Sequence, residues 1–230
     1  MPLPDETLPR AERRALHRTA FGIGLYAAAF GATFGAVATG SGLGVGQTAV
    51  LSAVMFTGAS QFAFVGVVAA GGSAAAAVSA ALLLGARNAF YGIPVSGLLR
   101  PRGWRRPLVA HVVIDETTAM AVAQPTPAAG RLAFWSTALW LCGLWNVGTL
   151  AGALLGRAVD PAALGLDAAA PAVFLALLWP QLGRRPAPVV ALLGAGLALV
   201  LIPLAPPGVP VVAAAGVALA VGLTGRTDRS

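Results

Sequence analysis

Of the chain's 230 residues, 57% are hydrophobic and only 10% charged, with a mean hydropathy of +0.80; soluble domains carry about 25% charge, so an ordinary soluble fold is excluded. The apolar residues fall in separate blocks of about 17–25, the length of a bilayer-crossing helix, which excludes the short alternating segments of an outer-membrane barrel. The formal net charge is +7 and every basic residue is Arg, but the arginines are dispersed in short clusters between apolar blocks, so they fit membrane orientation and not a nucleic-acid surface.

These features predict an all-α, polytopic helical inner-membrane protein with about 6–8 membrane segments, at least one of them broken or re-entrant. Residues 1–18 read as a basic cytoplasmic N-terminal segment, 19–225 as a single transmembrane domain and 226–230 as a polar tail. The first apolar block, near 20–40, mimics a signal peptide through the A-x-A at Ala36–Ala38. Glycines at helical spacing and the blocks that follow favour an uncleaved first helix. Further blocks lie near 47–71, 73–99, 108–124, 131–156, 170–183, 189–205 and 211–224.

Small residues four apart recur as Ala27, Gly31, Gly35 and as Gly148, Gly152, Gly156, a pattern that lets helix backbones approach closely in lipid. "GIGLYA" at 22 and "GVGQTA" at 44 fit a relaxed dinucleotide fingerprint, but no strand precedes either and the chain holds 29 glycines, so chance accounts for both. Cys142 is the only cysteine, which removes internal disulfides and thiolate metal sites; its apolar surroundings suit a packed, inert residue.

Arginine placement orients the blocks. If each block from 131 onward crosses once, Arg131, the pair Arg184 and Arg185, and the tail with Arg226 and Arg229 share one face, opposite the loop with Arg157, Asp160 and Asp167. The first half conflicts with this. Three full crossings after a cytoplasmic Arg10–Arg18 would put "RPRGWRR" (100–106) outside, so either one block between 47 and 99 fails to cross or the rule is broken there.

Arg87 is the single charged residue between Gly22 and Leu99. A guanidinium at the bilayer centre costs about 2.5–3.5 kcal/mol on insertion scales, so such a residue faces a cavity or a partner. Gly85, Gly92 and Pro94 loosen the surrounding helix, and a discontinuity there would expose backbone amides beside the charge. Arg87 and Asn88, with Tyr91 one turn on, would then bind a carboxylate at mid-membrane. A structural ion pair or an interfacial, snorkelling Arg87 is the alternative.

The only acids inside an apolar block are in "HVVIDETTAM". On a continuous helix His111, Asp115 and Thr118 share a face and Glu116 is turned about 100° away. One acid would pair with Arg87 while the other serves the substrate or a proton, since burial disfavours a charged carboxylate and a nearby guanidinium favours it. A structural bridge with a solvated Glu116 and a merely hydrogen-bonded His111 is the competing reading. In "FTGASQF", Ser60 and Gln61 interrupt the second block; Gln61 offers donors and an acceptor to a zwitterion, or cross-links helices.

"FTGASQF", "ARNAFYG", "DET", "GLDAAAPAVFLALL" and "PPGVPVVAAAGVALAVG", in that order between Phe21 and Gly222, resemble the AzlC family of bacterial branched-chain amino acid exporters. The resemblance implies that 19–225 is a permease domain of a multi-pass inner-membrane protein that exports valine, leucine, isoleucine and sometimes methionine. It implies a small AzlD-like membrane partner of about four helices, while coupling to the proton gradient is expected from the buried carboxylates beside Arg87, and no cofactor or metal is expected because no ligand cluster occurs. The chain departs from the family at Asn88, where a histidine is usual, and at Ala168 and Ala170, where aromatics are usual. A non-transporting scaffold subunit and a membrane-embedded enzyme are the competing classes. Neither G-x-S-x-G nor H-E-x-x-H occurs, which argues against the enzyme.

Overall fold

A computed structural model describes residues 8–158, 187–206 and 208–224, with isolated positions between 175 and 183, and these residues are helical or in short turns. The helices are α1 (Arg10–Gly40), α2 (Val45–Val54), α3 (Ala59–Ala69), α4 (Ala74–Gly85), α5 (Arg87–Leu99), α6 (Arg105–His111), α7 (Asp115–Val122), α8 (Pro127–Ala158), α9 (Ala187–Leu201) and α10 (Val209–Thr224). Most of the expected block at 170–183, Asp160 and Asp167, the Arg184–Arg185 pair, the "DAAAP" stretch and the tail from 226 lie outside the described residues.

Among the described residues, three stretches are long and apolar enough to cross a bilayer: Arg10–Gly40, Ala74–Leu99 and Pro127–Gly156. At about 1.5 Å per residue each exceeds the roughly 30 Å hydrocarbon core. Large apolar side chains such as Leu82, Ile93, Leu139 and Leu192 stay exposed along the outer faces, where lipid would solvate them.

The small-residue ladders are the two sides of one interface. Gly24 of α1 abuts Trp140 of α8, Gly31 abuts Trp145 and Thr149, and Gly35 abuts Thr149 and Ala153; in return Gly148 abuts Ala28, Gly152 abuts Ala32 and Gly156 abuts Ala36. A Cβ on Gly35 would collide with the Thr149 carbonyl, and one on Gly152 with the Ala32 carbonyl. Residue numbers climb together on both helices, so α1 and α8 run parallel.

Parallel α1 and α8 require an odd number of crossings between them, and Ala74–Leu99 supplies one. The 47–71 block is instead split at 55–58 into α2 and α3, which fold back as a hairpin. Its first arm starts beside the end of α1, where the Leu43 N–H donates to the Ala38 carbonyl at 3.1 Å. Its second arm runs antiparallel to α4: Ser60 lies against Gly85, and Val67 packs with Ala77 and Ala80. Both ends of the hairpin therefore sit where α1 ends and α4 begins. Gly58, at φ +60, turns the chain at the tip.

The 108–124 block is split likewise, at 112–114, into α6 and α7. Arg105 and Leu108 share a cleft with Arg131 at the start of α8, while Met120 packs against the cluster of Leu16 and Ala129. This second hairpin thus enters from the opposite end, where α1 and α8 begin. Thr117 closes its break, accepting from the Ile114 N–H at 3.0 Å and donating to the Val112 carbonyl at 2.8 Å. The order of one long helix followed by one hairpin occurs twice, in opposite directions. As a result 100–106 falls at the same end as Arg10–Arg18 and Arg131, which removes the conflict with arginine placement.

The expected discontinuity at Arg87 is a local one: α4 ends at Gly85 and α5 starts at Arg87. α4 and α5 meet at Ala86, which keeps right-handed helical angles (φ −56, ψ −25), and together they make one 26-residue helix that contains Pro94. The turn there is tightened, with the Ala89 N–H donating to the Ala86 carbonyl at 3.1 Å, and Arg87 is the first residue of α5. Wider breaks lie in the two flanking blocks. α9 and α10 form an antiparallel pair whose turn, at Gly208 (φ +97), seats against Ala76 and Val67.

Candidate functional site

The tips of the two hairpins converge at mid-height of the long helices, around a cavity of about 80 Å³. At roughly 10–15 Å³ per water position, that is room for several waters or one small solute. Phe56, Thr57, Gly58 and Ala59 come from the first tip and Ile114, Asp115 and Glu116 from the second. Arg87 enters from the middle of the α4–α5 helix, and Tyr26, Phe30, Leu141 and Trp145 come from α1 and α8.

The lining is divided chemically. One side is aromatic and apolar: Phe62 and Trp145 are backed by the buried Phe34, which meets the first edge-on at 5.5 Å and stacks on the second at 6.3 Å, while Tyr26 and Phe30 lie 4.7 Å apart. The other side is charged, with Arg87 Nη1 4.0 Å from Asp115 Oδ2 and Glu116 beside it. This is the only ion pair among the described residues. The Arg87 and Asp115 side chains keep 36% and 50% of their exposure, so the pair faces open space and is not sealed in packing.

Polar atoms around the cavity are buried without a hydrogen-bond partner: Thr57 Oγ1, Ser60 Oγ, Arg87 Nε, Asn88 Oδ1, Thr118 Oγ1 and Trp145 Nε1. Buried polar atoms are almost always satisfied. A cluster of exceptions at one place marks a site that water or a ligand completes. Two helix N-termini also point there, because α3 starts at Gly58–Ala59 and α7 at Ile114–Asp115 on the cavity wall. The first is free of acid, whereas Asp115 and Glu116 occupy the first turn of the second.

The sequence-derived residues fall in three groups. Arg87, Asp115 and Glu116 line the cavity together. Asn88 and Tyr91 follow Arg87 on α5, half-buried; Tyr91 packs against the hydrophobic core and does not line the cavity. Ser60 and Gln61 are buried just behind the first tip, where the Gln61 side-chain amide donates to the Ser52 carbonyl at 3.1 Å and ties α3 to the end of α2. Of its two sequence readings, that contact is the helix cross-link. Ser52 is in turn 3.2 Å from Thr149 of α8, anchoring the hairpin to the long pair.

His111 does not share a face with Asp115 and Thr118. The break at 112–114 leaves it on α6, exposed, with its ring 6.1 Å from that of Phe56. Thr57, Tyr26 and Trp145 were missed in the sequence. The "FTG" before Ala59 was the one available signal for Thr57, whereas Trp145 is one of 5 tryptophans in apolar surroundings and nothing in its local sequence sets it apart.

A family model described as "AzlC protein" matches residues 22–159, well over half of the chain and every element that lines the cavity. Two proteins of Helicobacter pylori, each described as an uncharacterized membrane protein, are similar. That of strain J99 is 28% identical over 172 residues, 74% of this chain and 75% of the relative. That of strain 26695 is 28% identical over 156 residues, 67% and 68% of the two chains. No solved structure matches. With its three long apolar helices, the chain is a multi-pass membrane protein.

Proposed function

We propose, from the premise that this chain belongs to the AzlC family, that it is the large subunit of a secondary transporter that exports branched-chain amino acids across the bacterial inner membrane. The observation that carries this reading is one cavity holding Arg87, Asp115 and Glu116 on one side and an aromatic wall on the other. An amino acid with an apolar side chain has the matching chemistry. Its carboxylate pairs with Arg87 and the acid-free N-terminus of α3, its ammonium with Asp115 or Glu116, and its side chain with Phe30, Phe56 and Trp145.

Asp115 and Glu116 outnumber Arg87, so a proton or the substrate ammonium has to balance the second carboxylate when the site is closed from water. Proton coupling follows from that imbalance: the cavity exchanges a proton for the substrate's charge between its two access states. Asn88, Ser60 and Gln61 lie close behind the lining and set its shape, and Tyr91 packs against the core one turn beyond Arg87. The arginine-rich end, with Arg10–Arg18, 100–106 and Arg131, is the cytoplasmic one. A small AzlD-like membrane protein is the partner that the family implies.

The test is flux. Proteoliposomes holding the chain and its small partner move leucine, isoleucine or valine when a pH gradient is imposed, and Arg87→Gln abolishes that movement while the protein remains folded. Absence of movement under every gradient, or full activity in Arg87→Gln, overturns the reading.

A further inference from the structure

We propose that the cleft at the arginine-rich end is a binding site for the headgroup of an anionic phospholipid. It is distinct from the central cavity, with a volume of about 850 Å³ between the α5–α6 turn, α6 and the start of α8. Arg100, Arg102, Arg105 and Arg131 line it, and no carboxylate does. None of these guanidiniums is within ion-pair distance of an acid among the described residues, because the one pair found there is Arg87–Asp115. Four uncompensated cations held around one hollow repel each other, and a phosphodiester is the counter-ion whose oxygens match their planar forks.

Three further features select a lipid over a soluble anion. Trp104 and Trp135 line the same cleft and are exposed, as indoles are at the headgroup level. Leu99, Leu108 and Val109 continue it with an apolar wall along which an acyl chain lies. The cleft also opens where α5 leaves and α8 enters the apolar layer, at the end where arginines concentrate and anionic leaflets attract them. Local geometry presents the charges outward. Arg100 takes the left-handed conformation (φ 46) and spends only its Nε, on the Gly97 carbonyl at 3.3 Å. Arg105 is held 5.8 Å over the Trp104 ring.

The experiment uses the full chain in phosphatidylcholine nanodiscs, following tryptophan fluorescence as brominated phosphatidylglycerol or brominated phosphatidylcholine is added. Quenching by the anionic lipid is expected to contain a saturable part, with a preference over the zwitterionic lipid of at least about tenfold, and that saturable part is expected to vanish in Trp104→Phe/Trp135→Phe, leaving the lipid-independent background of the other tryptophans. Arg105→Gln/Arg131→Gln keeps Arg100, Arg102 and Arg106 for orientation and is expected to weaken the preference by about fivefold per arginine. If that variant does not fold, the unaltered chain carries the test, since high salt erases an electrostatic preference and leaves apolar contact intact. Equal quenching by both lipids, a preference indifferent to the arginines and to salt, or relief of quenching by inorganic phosphate alone each overturns the proposal.

Discussion

Arg87 and Asp115 face each other at 4.0 Å from elements 28 positions apart in sequence, the middle of a long helix and the tip of a hairpin. The separation is the outer limit of an ion pair and both side chains face open space, so their attraction adds little to stability, of the order of an exposed pair. The pair therefore holds the site in register without locking it, and a substrate carboxylate competes with Asp115 for the guanidinium at small cost.

Arg87→Gln is accordingly expected to lower affinity for leucine at least tenfold while leaving the melting temperature nearly unchanged. Calorimetric titration and a thermal melt on the same detergent-solubilised sample give both numbers. A large loss of melting temperature would instead mark Arg87 as a structural residue.

The α1–α8 interface predicts opposite outcomes for chemically identical changes. Gly152→Ala and Gly35→Ala put a methyl into backbone of the partner helix, for which nothing can give way, and are expected to cost several kcal/mol, beyond the about 1–3 typical of overpacking. Gly143→Ala on α8 meets open space and is expected to be neutral or to stabilise by about 0.5–1 kcal/mol through helix propensity. Thermal unfolding of the three variants decides between packing and a merely composition-driven glycine content.

Gly58 turns the first tip at φ +60 and ψ −92, a conformation that side chains rarely adopt. Gly58→Ala is expected to cost about 1–3 kcal/mol in strain and to reduce transport more than stability, because the distortion falls on the Thr57–Ala59 wall of the cavity. Comparing flux with melting temperature for this variant checks the split.

The hairpin topology makes a prediction independent of any substrate. In a Cys142→Ala background, cysteines at Ser41 and Ser73 are expected to react with an impermeant maleimide from one side of the membrane, and those at Gly103 and Gln124 from the other. If Ser41 and Ser73 label from opposite sides, α2–α3 crosses and the fold described here is wrong.

Much of this was legible in the sequence, and what was not has specific causes. The blocks, the ladders of small residues and the exceptional status of Arg87 and of Asp115 with Glu116 follow from hydropathy and charge alone, because burial in lipid penalises polarity so heavily. The breaks did not. Gly85, Gly92 and Pro94 point to a wide break around Arg87, yet the helix is interrupted there only at Ala86, and Gly92 and Pro94 stay within α5. Thr117 and Gly58 mark the wider interruptions, through one hydroxyl that satisfies two backbone groups and one left-handed turn. His111 was placed with Asp115 only because a continuous helix was assumed across 112–114. That two glycine ladders belong to one contact is a long-range fact, and local periodicity has no access to it.

The backbone-to-backbone contact of α1 with α8 also constrains how the molecule can change shape. Where backbone meets backbone along the glycine ladders, the two helices have no slack for sliding past one another, and together they behave as a single stiff post. Any alternation of access to the Arg87 chamber must then be borne by the two inverted hairpins, whose tips face each other across it, each moving against a scaffold that stays still.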